Sequence, residues 1–219
     1  MKRKPILSRR RQALCRAAVC LAILLFINLF FGSFYILPIQ AVRRSEQRNG
    51  MFDSEVIHRR WDWRRGEGVY LTINRHAMQA TVVDFDLGWR GAGAALDCTT
   101  GERMYFGEFD FKNGKQTESL NFFGRMGSWD IKRLEIAVTY STYLEGKGWQ
   151  EADTYTLHVN EDDFLDQDGE RYFLARHFVP ESMEKAIYDV TATAYNARDE
   201  VIFQKKDVEA ILSTTRLSI

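Results

Sequence analysis

Apolar and polar residues alternate with a period of two along much of the chain after residue 68. The segments 82–87, 133–140 and 154–159 carry this pattern most clearly. It is typical of strands buried on one face, because successive side chains of a strand point to opposite faces of the sheet. Glycines at 88–93 predict one turn, and Asn113-Gly114 is the strongest hairpin signal. We therefore predict an all-β, antiparallel β-sandwich of eight to ten strands.

A long apolar stretch precedes this region. Residues 17–37 are 21 consecutive positions without a charge. As a helix they span roughly 32 Å, enough for a hydrocarbon core of about 30 Å. The stretch exceeds the apolar region of a cleaved signal peptide, so we predict an uncleaved transmembrane signal-anchor. Seven basic and no acidic residues precede it, which predicts a cytoplasmic N-terminus and a C-terminal domain outside.

These features divide the chain into four predicted parts. They are a basic cytoplasmic tail at 1–16, a transmembrane helix at 17–37, a juxtamembrane linker at 38–65 and an extracytoplasmic β-sandwich ectodomain at 66–219. The predicted localisation is the plasma membrane, as a single-pass protein that contacts lipid through residues 17–37.

The most specific fold signal lies at residues 180–196. Alternating apolar residues from 188 to 194 follow an acidic turn. This arrangement resembles the late strand of immunoglobulin-like and fibronectin type III sandwiches, in which a corner tyrosine bonds back to the backbone. The resemblance covers about residues 180–205. It implies that Tyr188 is the corner tyrosine and that residues 200–205 form the returning strand, and it implies no chemistry.

Charge is distributed unevenly, although the 30 basic and 30 acidic residues cancel. Residues 1–16 carry only basic charges, and residues 151–170 contain eight acidic residues and no lysine or arginine. A dedicated nucleic-acid-binding protein is usually strongly basic, so we predict no nucleic-acid partner.

The densest candidate binding cluster is the sequence HRRWDWRR at residues 58–65. Arginine stacks on tryptophan faces and also engages phosphate or carboxylate groups. A partner for this cluster would be another envelope protein or a surface polymer. The alternative is that the tryptophans pack under the first strand and the arginines are solvated. The predicted contact residues are Arg59, Arg60, Trp61, Trp63, Arg64 and Arg65.

Catalytic signals are weak. Asp84 with Asp86, and Glu108 with Asp110, each place two carboxylates roughly 7 Å apart on one strand face, within the range of glycosidase pairs. Alternating acids on the solvated face of a strand are the more ordinary case. The four histidines have no metal-binding spacing, and no nucleophile motif is present.

The acidic residues 151–170 raise the question of calcium, which binds oxygen-rich loops. The spacing excludes an EF-hand, because Phe164 and Ala175 would occupy the first and last ligand positions. A calcium site of another kind is a weaker alternative to a solvated acidic loop. Its residues would be Asp163, Asp166, Asp168 and Glu170. We predict no cofactor.

The sequence therefore predicts a membrane-anchored β-sandwich that serves as a binding or assembly module of the cell envelope. The alternative is an envelope hydrolase that acts on a glycan through one of the carboxylate pairs. A pair that converges in a cleft beside aromatic side chains would favour the enzyme, and a pair on a convex solvated face would favour the binding module.

Overall fold

The computed structural model describes residues 9–31, 35–86, 88–113, 116–127, 130–183 and 186–207. Two helices come first: α1 spans Arg9–Phe31 and α2 spans Pro38–Arg48. Proline in the first turn favours the start of α2, because its φ is already helical and its missing N–H has no helical partner there. The Gln40 side-chain oxygen accepts hydrogen bonds from the N–H groups of Ile36 and Leu37, each at 3.1 Å.

The predicted transmembrane helix over residues 17–37 is wrong. Within the described residues, no helix is long and apolar enough to cross a membrane. The uncharged stretch is divided, since α1 ends at Phe31 and α2 begins at Pro38. Between them Tyr35 pairs with Trp89 as an antiparallel bridge. The predicted signal-anchor, single-pass topology and plasma-membrane localisation depended on that helix and are wrong with it.

Beyond α2 the described residues form three four-stranded antiparallel sheets. The N-terminal sheet has the order β1-β2-β3-β4, with bounds Glu55–Asp62, Glu67–Ile73, Ala77–Phe85 and Trp89–Asp97. The central sheet has the order β5-β6-β10-β9, with bounds Met104–Asn113, Gln116–Met126, Glu170–Phe178 and Leu165–Gln167. The C-terminal sheet has the order β12-β11-β7-β8, with bounds Val201–Asp207, Ile187–Tyr195, Arg133–Leu144 and Gly148–Asn160.

The predicted antiparallel β-structure is confirmed, and the packed sheets are compatible with a β-sandwich. The described residues form twelve strands instead of eight to ten. Residues 38–65, predicted as a linker, contain α2 and β1. Residues 88–93, predicted as a turn, contribute most of their length to β4. Asn113 pairs with Gln116, as the predicted hairpin requires, although Gly114 lies outside the described residues.

The central sheet is buried on both faces and forms the middle layer of three. Consecutive residues of its strands therefore enter different cores. On β6, Phe122 packs toward the C-terminal sheet and Phe123 toward the N-terminal sheet, and both are fully buried. Each such phenylalanine stabilises the fold by about 1.5–3 kcal/mol. A strand buried on both faces needs such runs of apolar residues.

Helix α2 packs on the outer face of the N-terminal sheet. The strands beneath it need glycine, because a Cβ at Gly91 would lie 2.9 Å from the carbonyl oxygen of Ala41. A buried polar network joins the two layers. The fully buried Gln79 donates to Ser45 Oγ at 3.0 Å, and its oxygen accepts from Asn49 Nδ2 at 3.0 Å. This network fixes the C-terminal half of α2 on β3.

Candidate functional site

The predicted arginine and tryptophan cluster lies at the end of β1 and in the turn that follows. Trp61 and Trp63 stack with their ring centroids 5.8 Å apart. Trp61 is held by edge-on contacts with Trp89 at 5.4 Å and Tyr70 at 6.3 Å. Trp63 has no such enclosure and is 85% exposed. The pair therefore combines an anchored ring with one presented to solvent.

A groove of about 510 Å³ lies between this cluster and the central sheet. Four of the six predicted contact residues line it: Arg60, Trp61, Trp63 and Arg64. The wall formed by β10 contributes residues that the sequence did not predict: Leu174, Ala175, Arg176 and Phe178. The groove thus joins the first strand of the fold to a strand more than a hundred positions later.

The other two predicted residues lie outside this lining. Arg59 lines a separate depression together with Pro38 and other residues at the start of α2. The Arg65 guanidinium lies 3.9 Å from the ring centroid of Phe178 and 3.7 Å from the carboxylate of Asp62. Arg65 therefore holds the turn after β1 against β10.

A buried ion pair joins the two sheets beside the groove. Arg176 Nη2 donates to Glu67 Oε2 at 2.6 Å, and its Nε donates to Ser119 Oγ at 2.9 Å. Glu67 is only 3% exposed. Burial raises the pKa of its carboxyl group, and the positive charge of Arg176 opposes that rise. Removing either partner would leave the other buried without its counter-charge.

The groove is positively charged at neutral pH. Arg60 and Arg64 are exposed, and neither forms an ion pair with an acidic side chain in the described part of the chain. The Asp62 carboxylate accepts hydrogen bonds from the backbone N–H groups of Arg64 and Arg65, so it is occupied within the turn. Burial, and secondly the charge of Arg60, lower the pKa of His58. His58 is therefore neutral there, and arginine supplies the charge.

The β10 wall exposes a free strand edge. β10 pairs with β6 along its length from Arg171 to Phe178, but on its other side β9 pairs only with residues 170–172. Among the described strands, none pairs with the outer edge of residues 173–178. Ala175 lines the groove, although its side chain packs in the core between the central and C-terminal sheets. This places the edge of β10, and not only its side chains, in the groove wall.

One arginine bridges the two acids of the first carboxylate pair. The guanidinium of Arg90 lies 2.6 Å from Asp84 and 3.2 Å from Asp86. Asp84 is buried and Asp86 is mostly exposed. Arg90 therefore joins β3 to β4 through one buried and one exposed carboxylate.

The second carboxylate pair points between the central and C-terminal sheets. Glu108 and Asp110 lie near Tyr188, whose pKa is raised by burial first and then by these two charges. Asp110 pairs with Lys112 at 3.0 Å. One oxygen of each acid, Glu108 Oε2 and Asp110 Oδ2, is buried. The pair therefore lies beside aromatic side chains and away from the solvated face of the sheet.

The candidate calcium residues have other partners. Asp166 binds Arg171 at 3.0 Å, and Glu170 binds Arg125 at 3.0 Å. Asp163 accepts from the backbone N–H of Asn160 at 3.0 Å. Asp168 occupies a turn with φ of 52°. Across the described ranges, no group of three or more histidine, cysteine or acidic side chains could hold a metal ion.

Sequence reasoning missed the β10 wall for a physical reason. Arg176 and Glu67 are 109 positions apart, and only the packing of the central sheet on the N-terminal sheet brings them together. The alternation of Leu174, Arg176 and Phe178 on one face of a strand was the sole available signal. Such alternation does not distinguish a groove wall from a solvated face.

Comparison of the chain with protein-family models, curated proteins and solved structures finds no match.

Proposed function

We propose that this protein is a protein-binding module and that the groove between β1 and β10 takes an acidic segment of its partner. The observation that carries the proposal is the pairing of unneutralised Arg60 and Arg64 with the 85% exposed ring of Trp63 in one groove. Binding hot spots are enriched in tryptophan and arginine, and arginine binds carboxylates in a bidentate manner. A groove of this size accommodates several side chains of a partner.

We further propose that β5 to β12 form an immunoglobulin-like sandwich, because their strand order matches that of this fold. In that fold one sheet has the order A-B-E-D, and the other contains G-F-C, with an added C′ strand in variable-type domains. The orders β5-β6-β10-β9 and β12-β11-β7-β8 correspond to these two sheets. Tyr188 lies near the start of β11, where this fold has its corner tyrosine. The N-terminal sheet is then an additional layer that forms the groove.

The test uses poly-L-glutamate as a probe for an acidic segment. We expect the full-length chain to bind it, and Arg60→Ala/Arg64→Ala to weaken binding by at least about tenfold through loss of two charge-assisted contacts. The measurement is isothermal titration calorimetry at about 0.1 M salt. The matched control is Arg75→Ala/Arg198→Ala, which removes two exposed arginines elsewhere. Equal loss in both variants, or no binding by the parent, would contradict the proposal.

A second candidate function is hydrolysis of a glycan by Glu108 and Asp110. The observation that favours it is the position of this pair beside Tyr188, away from the solvated face. One carboxyl group would act as acid and the other as base or nucleophile. A panel of fluorogenic glycosides tests it. Hydrolysis abolished by Glu108→Gln and retained by Asp84→Asn would support the enzyme, and hydrolysis unaffected by Glu108→Gln would exclude this pair.

A further inference from the structure

The free edge of β10 restricts what kind of acidic segment can fill the groove. Over residues 173–178 the outer edge of β10 is paired with no described strand. Six residues of strand extend about 20 Å. A free edge of this length binds an extended segment by strand addition, in which backbone hydrogen bonds give affinity and alternate side chains give specificity. Trp63, Arg60 and Arg64 would then contact alternate side chains of the added strand.

The chain itself carries a strand with the complementary properties. β8 is the edge strand of the C-terminal sheet and pairs only with β7 among the described strands. Trp149 and Glu151 share one face of its first half, whereas Asp153 lies on the other face because the register of β8 against β7 shifts between Glu151 and Asp153. All three side chains are exposed. This part of β8 also extends past the sheet, because β11 begins only opposite Ser141 of β7. An aromatic and acidic strand with a free edge of similar length therefore projects from the molecule.

We infer that the first half of β8 from a second copy of the chain adds to the free edge of β10. This rests on the proposed function, since it names the partner of the same groove. Glu151 of one copy faces Arg60 and Arg64 of the next, and Trp149, on the same face of β8, meets Trp63. The pairing of β8 with β7 holds β8 in the C-terminal sheet of its own copy. The added strand therefore comes from another molecule.

The contact is heterologous, because the groove and β8 are different surfaces of one chain. Heterologous contacts propagate into a ring or an open chain instead of stopping at a symmetric dimer. The assembly therefore grows beyond the dimer as the protein concentration increases. It weakens as salt screens the exposed charges.

The test exchanges the charges of the two surfaces. The groove variant is Arg60→Glu/Arg64→Glu, and the strand variant is Glu151→Lys. We expect the full-length parent to self-associate in sedimentation velocity at about 50 mM salt and to dissociate at about 500 mM. Each variant alone remains a monomer, because its groove and the face of β8 that carries residue 151 have charges of the same sign. An equimolar mixture associates again, because each variant then meets a complementary surface. This rescue also shows that both variants are folded.

Three outcomes overturn the inference. The first is a parent that stays monomeric at low salt. The second is association of each variant alone to the same extent as the parent. The third is a mixture of the two variants that does not recover association. Contacts made by the exposed apolar residues of α1 would give the second outcome, since both variants retain that helix. Binding of poly-L-glutamate by a monomeric parent would leave the proposed function intact and remove only the second copy as its partner.

Discussion

Two neighbouring tryptophans have different roles in this molecule. Trp61 packs against Tyr70 and Trp89, and its ring also covers Gly68, where a Cβ would lie 3.0 Å from the ring. Trp63 is 85% exposed. We expect Trp61→Ala to lower the free energy of unfolding by about 2–4 kcal/mol. Trp63→Ala should change it by less than about 0.5 kcal/mol.

The same two variants separate stability from binding. Urea titration measures the free energy of unfolding, and calorimetric titration with poly-L-glutamate measures affinity. Trp63→Ala should weaken binding while the fold remains intact, because its ring contacts only its stacking partner and the groove. An unchanged affinity in Trp63→Ala would remove the exposed ring from the site.

His177 makes the stability of the fold depend on pH. Its ring is buried between the central and C-terminal sheets, 5.1 Å from Tyr155 and 5.9 Å from Tyr140. Burial lowers its pKa below the ordinary value of 6.5. Protonation therefore favours the unfolded chain. The stabilisation is complete above about pH 6.5 and is lost as the pH falls toward the folded pKa.

We expect the parent to lose more stability than His177→Phe between about pH 7.5 and pH 5.5. Phenylalanine keeps the ring contacts and removes the titrating nitrogen. His58, whose pKa is also lowered by burial, is present in both proteins and cancels in the comparison. Urea titrations at both pH values measure the difference, and equal losses would show that His177 is not the group responsible.

At the level of elements, the contact of α2 with β4 depends on glycine. We expect Gly91→Ala to lower the free energy of unfolding by about 1–3 kcal/mol, since the added Cβ would meet the Ala41 carbonyl oxygen at 2.9 Å. Ala92→Ser adds one heavy atom at an exposed position of the same strand and is the control. Thermal unfolding compares the two, and equal midpoints would contradict the tight contact.

A helix or strand can be predicted from sequence when its own pattern of apolar residues shows which face is buried. In β7, Leu134, Ile136 and Val138 alternate with half-buried residues, so the pattern predicts the strand. In β4 this pattern is interrupted by Gly91, which the contact with α2 requires, and by Gly93, which the contact with β3 requires, so the sequence predicts a turn. The helix and the strand within residues 38–65 were missed, because their burial comes from the N-terminal sheet and not from a strong local signal.

At the scale of the whole molecule, contacts between residues far apart in the sequence could not be predicted. The sequence predicts the basic and aromatic side of the groove, since the residues 58–65 are contiguous. It does not predict the β10 wall, which tertiary packing brings into place. The uncharged residues 17–37 were misinterpreted for a related reason. Composition alone does not reveal that Tyr35 pairs with Trp89 and that Pro38 begins a helix packed on the N-terminal sheet.

The central claim is that ligand binds in the groove between β1 and β10. Hydrogen–deuterium exchange of the full-length chain, with and without poly-L-glutamate, tests it most directly because it locates the contact. We predict slower exchange at residues 58–66 and at residues 173–178, where bound polymer covers the turn and the free strand edge. Protection confined to other regions, such as the strand that carries Glu108 and Asp110, would contradict the account.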